Sequence, residues 1–155
     1  MLNDIVLDDE AATLACGARF AAALPLGAVV YLHGDLGAGK TTFTRGILQG
    51  LGHIGKVKSP TYTLLEIYNL NSDANSSYHL YHYDLYRFTS EEEWDATGFR
   101  DYFNGNSLSI IEWPEKAPHV LPAADIHVHL SLYDLGRKIS FSANTALGNA
   151  CLKNF

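Results

Sequence analysis

Three rhythms of apolar and polar positions run along this chain, and each predicts a different element. Residues 9–23, DEAATLACGARFAAA, set apolar or small side chains at Ala11, Leu14, Ala15, Ala18 and Ala22, a helical spacing with Asp8 or Asp9 as N-cap. The run 28–34, AVVYLHG, is short, apolar and closed by glycine, as expected of a strand covered on both faces. Helical spacing returns in TTFTRGILQGLG (41–52), with Gly50 or Gly52 near its stop. TYTLLEIYNL (61–70) and YHLYHYDLYRF (78–88) are β-branched and aromatic, predicting two strands joined by the polar loop 71–77, NSDANSS.

TSEEEWDATGF (89–99) has the start of a helix. Ser90 and Glu93 stand at capping-box spacing, and three carboxylates in the first turn complement the helix dipole. SLSIIEW (107–113) is a buried strand ended by Pro114, and DIHVHLSLY with RKISFSA around DLG predicts an antiparallel hairpin. The expected architecture is α/β: a three-layer fold with a mainly parallel sheet, helices on both faces and a C-terminal hairpin. With 155 residues and no internal repeat or linker, one domain is expected, residues 143–155 forming a peripheral tail.

Composition narrows the partners. The chain is 47% hydrophobic and carries a net charge of −6, its basic residues scattered rather than clustered. Phosphate neutralisation supplies most nucleic-acid affinity, so direct, tight RNA or DNA binding is not expected. Cys16 and Cys151 sit in no metal or redox spacing, and no apolar run approaches the ~20 residues of a membrane span. The acidic MLNDIVLDDE start is unlike a signal peptide. A soluble, cytoplasmic protein with no membrane partner is expected.

One stretch carries explicit chemistry. Gly34, Gly39, Lys40 and Thr41 in GDLGAGKTT match the P-loop pattern G-x-x-x-x-G-K-[ST], with a predicted strand before and a helix after, so the fold is expected to be P-loop-like. Glycines let backbone N–H groups face inward as an anion nest, and the helix starting at Lys40 adds its positive end. Lys40 would neutralise the β- and γ-phosphates, and the Thr41 hydroxyl would join a Mg²⁺ shell. Gly37, Ala38 and Thr42 would line the same phosphates, unless Thr42 merely packs in the first turn.

Such a loop needs an acid at a neighbouring strand end. Glu112, after a hydrophobic run and before a proline, and Asp84 in YHYDLYRF are the candidates. In an open α/β sheet ligands gather at the carboxyl ends of strands, where both would converge. Alternatively Asp84 pairs with Arg87, and Glu112 caps the following turn. KSPTYT (58–63) fits either a γ-phosphate switch or a plain Ser/Thr turn. His127 and His129 share one strand face, but no third metal ligand is evident near them.

Together, GDLGAGKTTFTRG, VKSPTYTLLEIY, HYDLYRF and IIEWPEK resemble the bacterial TsaE (YjeE) family of tRNA threonylcarbamoyladenosine biosynthesis proteins, from about Asp8 to Phe141. D-L-Y-R and E-W-P are far more specific than the P-loop. The resemblance implies an ATPase subunit needed for threonylcarbamoyladenosine on tRNAs reading codons that start with A. It would use ATP and Mg²⁺ and dock on the TsaD–TsaB carbamoyltransferase complex, resetting it between turnovers. The tRNA would be met only through that partner. Position by position, it implies Lys40 as phosphate-binding lysine, Thr41 and Glu112 as Mg²⁺ ligands and Asp84 as an acid for hydrolysis. It also sets Trp113 and Arg137 beside the nucleotide and Glu10 by the base. Without it, Trp113 reads as a core indole and Arg137 as a solvated hairpin residue. Two rivals remain from residues alone: a small-molecule kinase, although NSDANSS offers no arginine lid, and a nucleotide switch, although no N-K-x-D guanine motif occurs.

Overall fold

In the computed structural model, which describes residues 2–72 and 76–155, the chain runs β1 (Leu2–Leu7), α1 (Glu10–Ala23), β2 (Val29–His33), α2 (Lys40–Gly50), β3 (Leu65–Asn71), β4 (Ser77–Asp84), α3 (Glu91–Thr97), β5 (Ser107–Glu112), β6 (Ile126–Tyr133), β7 (Gly136–Ala143) and α4 (Ala146–Lys153). The strands form one sheet in the order β1-β7-β6-β2-β5-β4-β3. β6, β2, β5 and β4 are mutually parallel, and β1, β7 and β3 add antiparallel edges. This is the expected P-loop α/β fold, with a parallel centre rather than a parallel whole. The centre of the predicted 71–77 loop lies outside the described residues.

Strand alternation divides the core into two layers. Val30, Leu32, Leu80, Ile110, Val128, Ile139 and Phe141 face α1, α2 and α4 in a largely aliphatic layer. Val29, Tyr81, Tyr83 and Ile111 face α3 and the 3-10 turn Phe99–Tyr102 in an aromatic layer around Trp94. α1 and α2 pack backbone to backbone: a Cβ on Gly17 would lie 2.5 Å from the Phe43 carbonyl oxygen. α2 ends where Gly52, at φ +90°, lets the His53 N–H reach the Leu48 carbonyl.

Several expectations are corrected, and one element, β1, was not predicted. The buried stripe of α1 is Thr13, Cys16, Gly17, Phe20 and Ala21, while Ala11, Ala15 and Ala22 are exposed. In an alanine-rich helix many phases look equally apolar, and here Phe20 and the close approach at Gly17 choose the phase. Residues 61–64 are turn, not strand: Thr61 and the left-handed Leu64 (φ 70°) belong to the loop before β3. β4 likewise stops at Asp84, short of Phe88. The acidic N-terminus forms an edge strand, β1, whose Leu7 is buried while Val6 stays exposed. Finally, the 143–155 segment is not peripheral. Its α4, capped by Thr145, buries Cys151 and Leu152, and Phe155 packs on Phe20 and Phe141. Burial raises both thiols, Cys16 and Cys151, to about 11, as for inert core cysteines.

The capping box of α3 forms in shifted register. Glu93 accepts from the N–H and hydroxyl of Thr89, and Ser90 makes no side-chain cap.

Candidate active site

Three parallel strands deliver the site. β2 ends at His33 and hands the chain to the loop 34–39, which opens α2 at Lys40. β4 and β5 end side by side with Asp84 opposite Glu112. Gly37 and Gly39 hold φ of +81° and +105°, the left-handed region where a side chain strains the backbone. Lys40, Thr41, Thr42, Gly37, Gly39, Asp84, Glu112, Trp113 and Arg137 line one cleft of about 260 Å³, together with Ser59 and Thr61. Of the predicted phosphate-lining residues, Ala38 alone is drawn away: it is buried, its N–H donates to Asp35 (3.0 Å), and it faces the far side of the loop.

Lys40 is buried, its ammonium donating to the Gly34 carbonyl at 2.6 Å and lying 3.8 Å from Glu112 Oε1. Burial pulls its pKa down; Glu112, then Asp84, Glu115 and Asp35, pull it back up. The ammonium also sits 4.0 Å above the Trp113 ring. That contact depends on the backbone of Trp113, which is left-handed (φ 58°, ψ 49°). Pro114 disfavours the right-handed region for the residue before it, and the strand must turn at once. A non-glycine residue in this conformation costs on the order of 1 kcal/mol and is typical of functional turns. Trp113 is thus neither a plain core indole nor a free one. It packs on Tyr86 (4.9 Å) while covering the lysine.

Asp84 does not pair with Arg87, whose guanidinium lies over Tyr62 instead. Its oxygens accept from the Tyr86 N–H and the Thr61 hydroxyl, both at 2.9 Å. Burial raises its pKa and Glu112 adds to this, while the Tyr86 and Thr61 hydrogen bonds and His82 oppose. Thr61 ties the 58–63 segment to the strand-end acid, and Ser59 bonds Thr61 at 2.8 Å. Glu112 does not use its side chain as a cap; it accepts from His82 Nε2 at 2.5 Å.

Arg137 is not a solvated hairpin residue. Its guanidinium reaches across to the Gly37 carbonyl at 3.1 Å and lies against Gly39. It also lines a side pocket of about 190 Å³ with Asp9, Glu10, Thr13, Gly39 and Thr42. Glu10 lies there, paired with Arg45 at 3.3 Å. The side pocket and the main cleft share Gly39, Thr42 and Arg137, so together they form one elongated depression.

Sequence reasoning passed over His82, although it stands two residues before Asp84 on the same strand face. That spacing was the available signal. It also missed that His127 and His129 gain a neighbour, His33 of β2. The three rings stack, His33 and His129 at 4.5 Å, and His33 Nε2 lies 2.9 Å from His127 Nδ1. Burial, then His129, His127 and Lys40, push the His33 pKa down to about 4. Two of these ring nitrogens bond each other, and no group of three or more His, Cys, Asp or Glu among the described residues is placed to hold a metal. No helix among them is long and apolar enough to cross a membrane.

A magnesium ion at a triphosphate site draws on few protein ligands, keeping waters and phosphate oxygens for the rest. One hydroxyl, Thr41, and one buried carboxylate, Glu112, in the cleft where α2 begins fit that demand.

The family model for threonylcarbamoyl adenosine biosynthesis protein TsaE matches residues 7–139. The tRNA threonylcarbamoyladenosine biosynthesis protein TsaE of Haemophilus influenzae is 48% identical over 154 residues, covering 96% of this chain and 94% of that protein. Its namesake in Bacillus subtilis is 40% identical over 124 residues, 79% of this chain and 72% of that one. The crystal structure of Bacillus subtilis YdiB superposes with a TM-score of 0.76 at 30% identity, covering 99% and 95% of the two chains. With the loop, the paired strand-end acids and the left-handed tryptophan in one cleft, and with relatives this similar along nearly its whole length, the chain belongs to the TsaE family.

Proposed function

We propose that this protein is a Mg²⁺-dependent ATPase subunit serving threonylcarbamoyladenosine formation on tRNAs that read codons starting with A. The observation that carries this reading is the meeting of Lys40, Thr41, Asp84 and Glu112, from separate segments, around one cleft. In this reading the 34–42 loop and Lys40 bind the phosphates, and the ammonium exchanges its Gly34 carbonyl for phosphate oxygens. Thr41 and Glu112 hold Mg²⁺, which supplies charge neutralisation for the transferred phosphoryl group. The elongated side pocket takes the base and ribose beside Glu10, with Arg137 bridging it to the phosphates.

Asp84 orients the attacking water and accepts its proton as the new P–O bond forms and ADP leaves. Burial favours that role, because a carboxylate whose pKa is raised is a stronger base. Trp113 and the Ser59–Thr61 segment shield the reacting end from bulk water. The exposed rim of the cleft and the net charge of −6 support a protein partner rather than RNA at this surface, and TsaD–TsaB is the proposed one. The buried, unbridged thiols are in keeping with a cytoplasmic setting.

Phosphate release by the purified chain, with and without TsaD–TsaB, tests the reading. Weak release alone and a marked rise with the partner are expected. Lys40→Ala should lose about 2–5 kcal/mol of ATP binding. Transfer of the γ-phosphate to a small acceptor would make the protein a kinase instead, and unchanged ATP affinity in Lys40→Ala would remove the site.

A further inference from the structure

The proposed metal carboxylate is held differently from its neighbour. Asp84 is fixed by its own surroundings, with Thr61 and Tyr86 each engaging one oxygen. Glu112 has a longer side chain and two partners: Lys40 at 3.8 Å from Oε1, and His82 at 2.5 Å from Oε2. Along β4, the face toward α2 reads Tyr78, Leu80, His82, Asp84. The first two belong to the aliphatic core, and the last lines the cleft. His82 is the step between them, with no exposed surface, and it stands opposite Ile110, diagonal to Glu112.

A leucine would fill this position without the cost of a buried polar ring. Among the described residues the ring's only hydrogen bond goes to Glu112, and Nδ1 is buried with no partner. A carboxylate only accepts, so Nε2 carries the hydrogen and Nδ1 a lone pair. That assignment leaves no N–H unsatisfied, and it makes Glu112 the one group the imidazole serves.

We propose that His82 is a positioning residue that orients Glu112 as a Mg²⁺ ligand. This rests on the metal role of Glu112 proposed above. The physical need comes from Lys40. An unrestrained glutamate beside a buried ammonium swings onto it and is lost as a metal ligand, while the ammonium, still charged and with donors to spare, keeps its hold on phosphate. By holding Oε2 down toward the core, His82 keeps Oε1 facing the cleft. It also keeps the carboxylate 3.8 Å from the ammonium, beyond hydrogen-bond length, so Lys40 remains on the Gly34 carbonyl. Such outer partners of metal ligands typically account for 10–100-fold in metal affinity.

The test uses the full chain with ADP. Mn²⁺ binding to the protein–ADP complex is followed by electron paramagnetic resonance, and ADP affinity is measured separately in EDTA. His82→Leu keeps the volume and removes the donor. His82→Gln returns an N–H near the Nε2 position, while His82→Asn places it near Nδ1, too short to reach Glu112. Expected are a 10–100-fold weaker Mn²⁺ affinity in His82→Leu and His82→Asn, recovery in His82→Gln, and unchanged ADP affinity in EDTA for all three. Wild-type Mn²⁺ affinity in His82→Leu overturns the proposal. So does equal loss in His82→Gln and His82→Asn together with lost EDTA affinity, which would mean a packing role. If His82→Leu does not fold, the Gln and Asn pair decides alone. Glu112→Gln separates the layers. If it binds Mn²⁺ like the wild type, the metal reading itself falls; if it fails while His82→Leu does not, only the role of His82 falls.

Discussion

The two faces of the sheet are built from the same strands and do different work. On β4, Leu80, His82 and Asp84 point toward α2, while Tyr81, Tyr83 and, just past the strand's end, Leu85 point toward α3. The α2 face grades from aliphatic core at Leu80 to a buried carboxyl at Asp84, and its helix delivers the phosphate loop. The α3 face is closed by rings: Tyr83 packs on Trp94 (5.6 Å), Phe99 (5.5 Å) and Phe103 (5.4 Å). A single-residue change of direction along a strand therefore separates chemistry from support. Damage on the two faces should look different. On the α3 face it should be stability alone, whereas on the α2 face packing and binding are joined through one helix.

The largest effect is expected at Trp94, fully buried at the centre of the aromatic layer. Trp94→Ala should cost about 3–5 kcal/mol of stability in denaturant titration, while the folded fraction binds ADP as the wild type does. A matching loss of ADP affinity would break the division between faces. Glu112→Gln should do the reverse, slowing phosphate release by about 10²–10³-fold with the protein still folded by circular dichroism. Should turnover persist at the wild-type rate, Glu112 has no part in the chemistry.

Gly17→Val probes the joined behaviour of the α2 face. The added side chain meets the Phe43 carbonyl, so α2 must shift, at about 1–3 kcal/mol for an overpacked contact. Because α2 begins at Lys40, ADP affinity should fall as well. Stability lost with affinity intact would show that the helix absorbs the shift before its N-terminus.

The smallest effect concerns pH. Burial raises the Asp84 carboxyl, so the fold prefers its neutral form. Below the ordinary aspartate value of about 4 the group is neutral in both states. As pH rises through the raised folded value, ionisation draws stability away. Asp84→Asn keeps an oxygen for the Tyr86 N–H and offers its amide to Thr61, without the charge. It should therefore raise the melting temperature of the nucleotide-free protein near neutrality, with the gain vanishing in acid. A gain that is constant with pH would point to packing instead of charge.

Much of this is legible in the sequence alone. The loop GDLGAGKTT, the strand ends at Asp84 and Glu112, and the DLG hairpin are local patterns whose physics acts within a few residues: φ-permissive glycines, a run ended by proline, alternation ended by a turn. Those forces belong to the sequence itself, and most of the residues they single out line the one cleft. The phase of α1, the edge strand β1 and the docking of α4 were not legible. An alanine-rich helix, a short acidic strand and a motif-free tail carry weak local preference and take their form from the surface they meet. Contacts across the sequence lay further out of reach. Arg137 against Gly37, Lys40 over Trp113, and His82 beneath Glu112 join segments separated by up to a hundred residues, through side-chain directions set by sheet register. Which residues can serve phosphate chemistry is written in their types and spacing; which of them restrain one another is decided by distance, and distance exists only once the strands are paired.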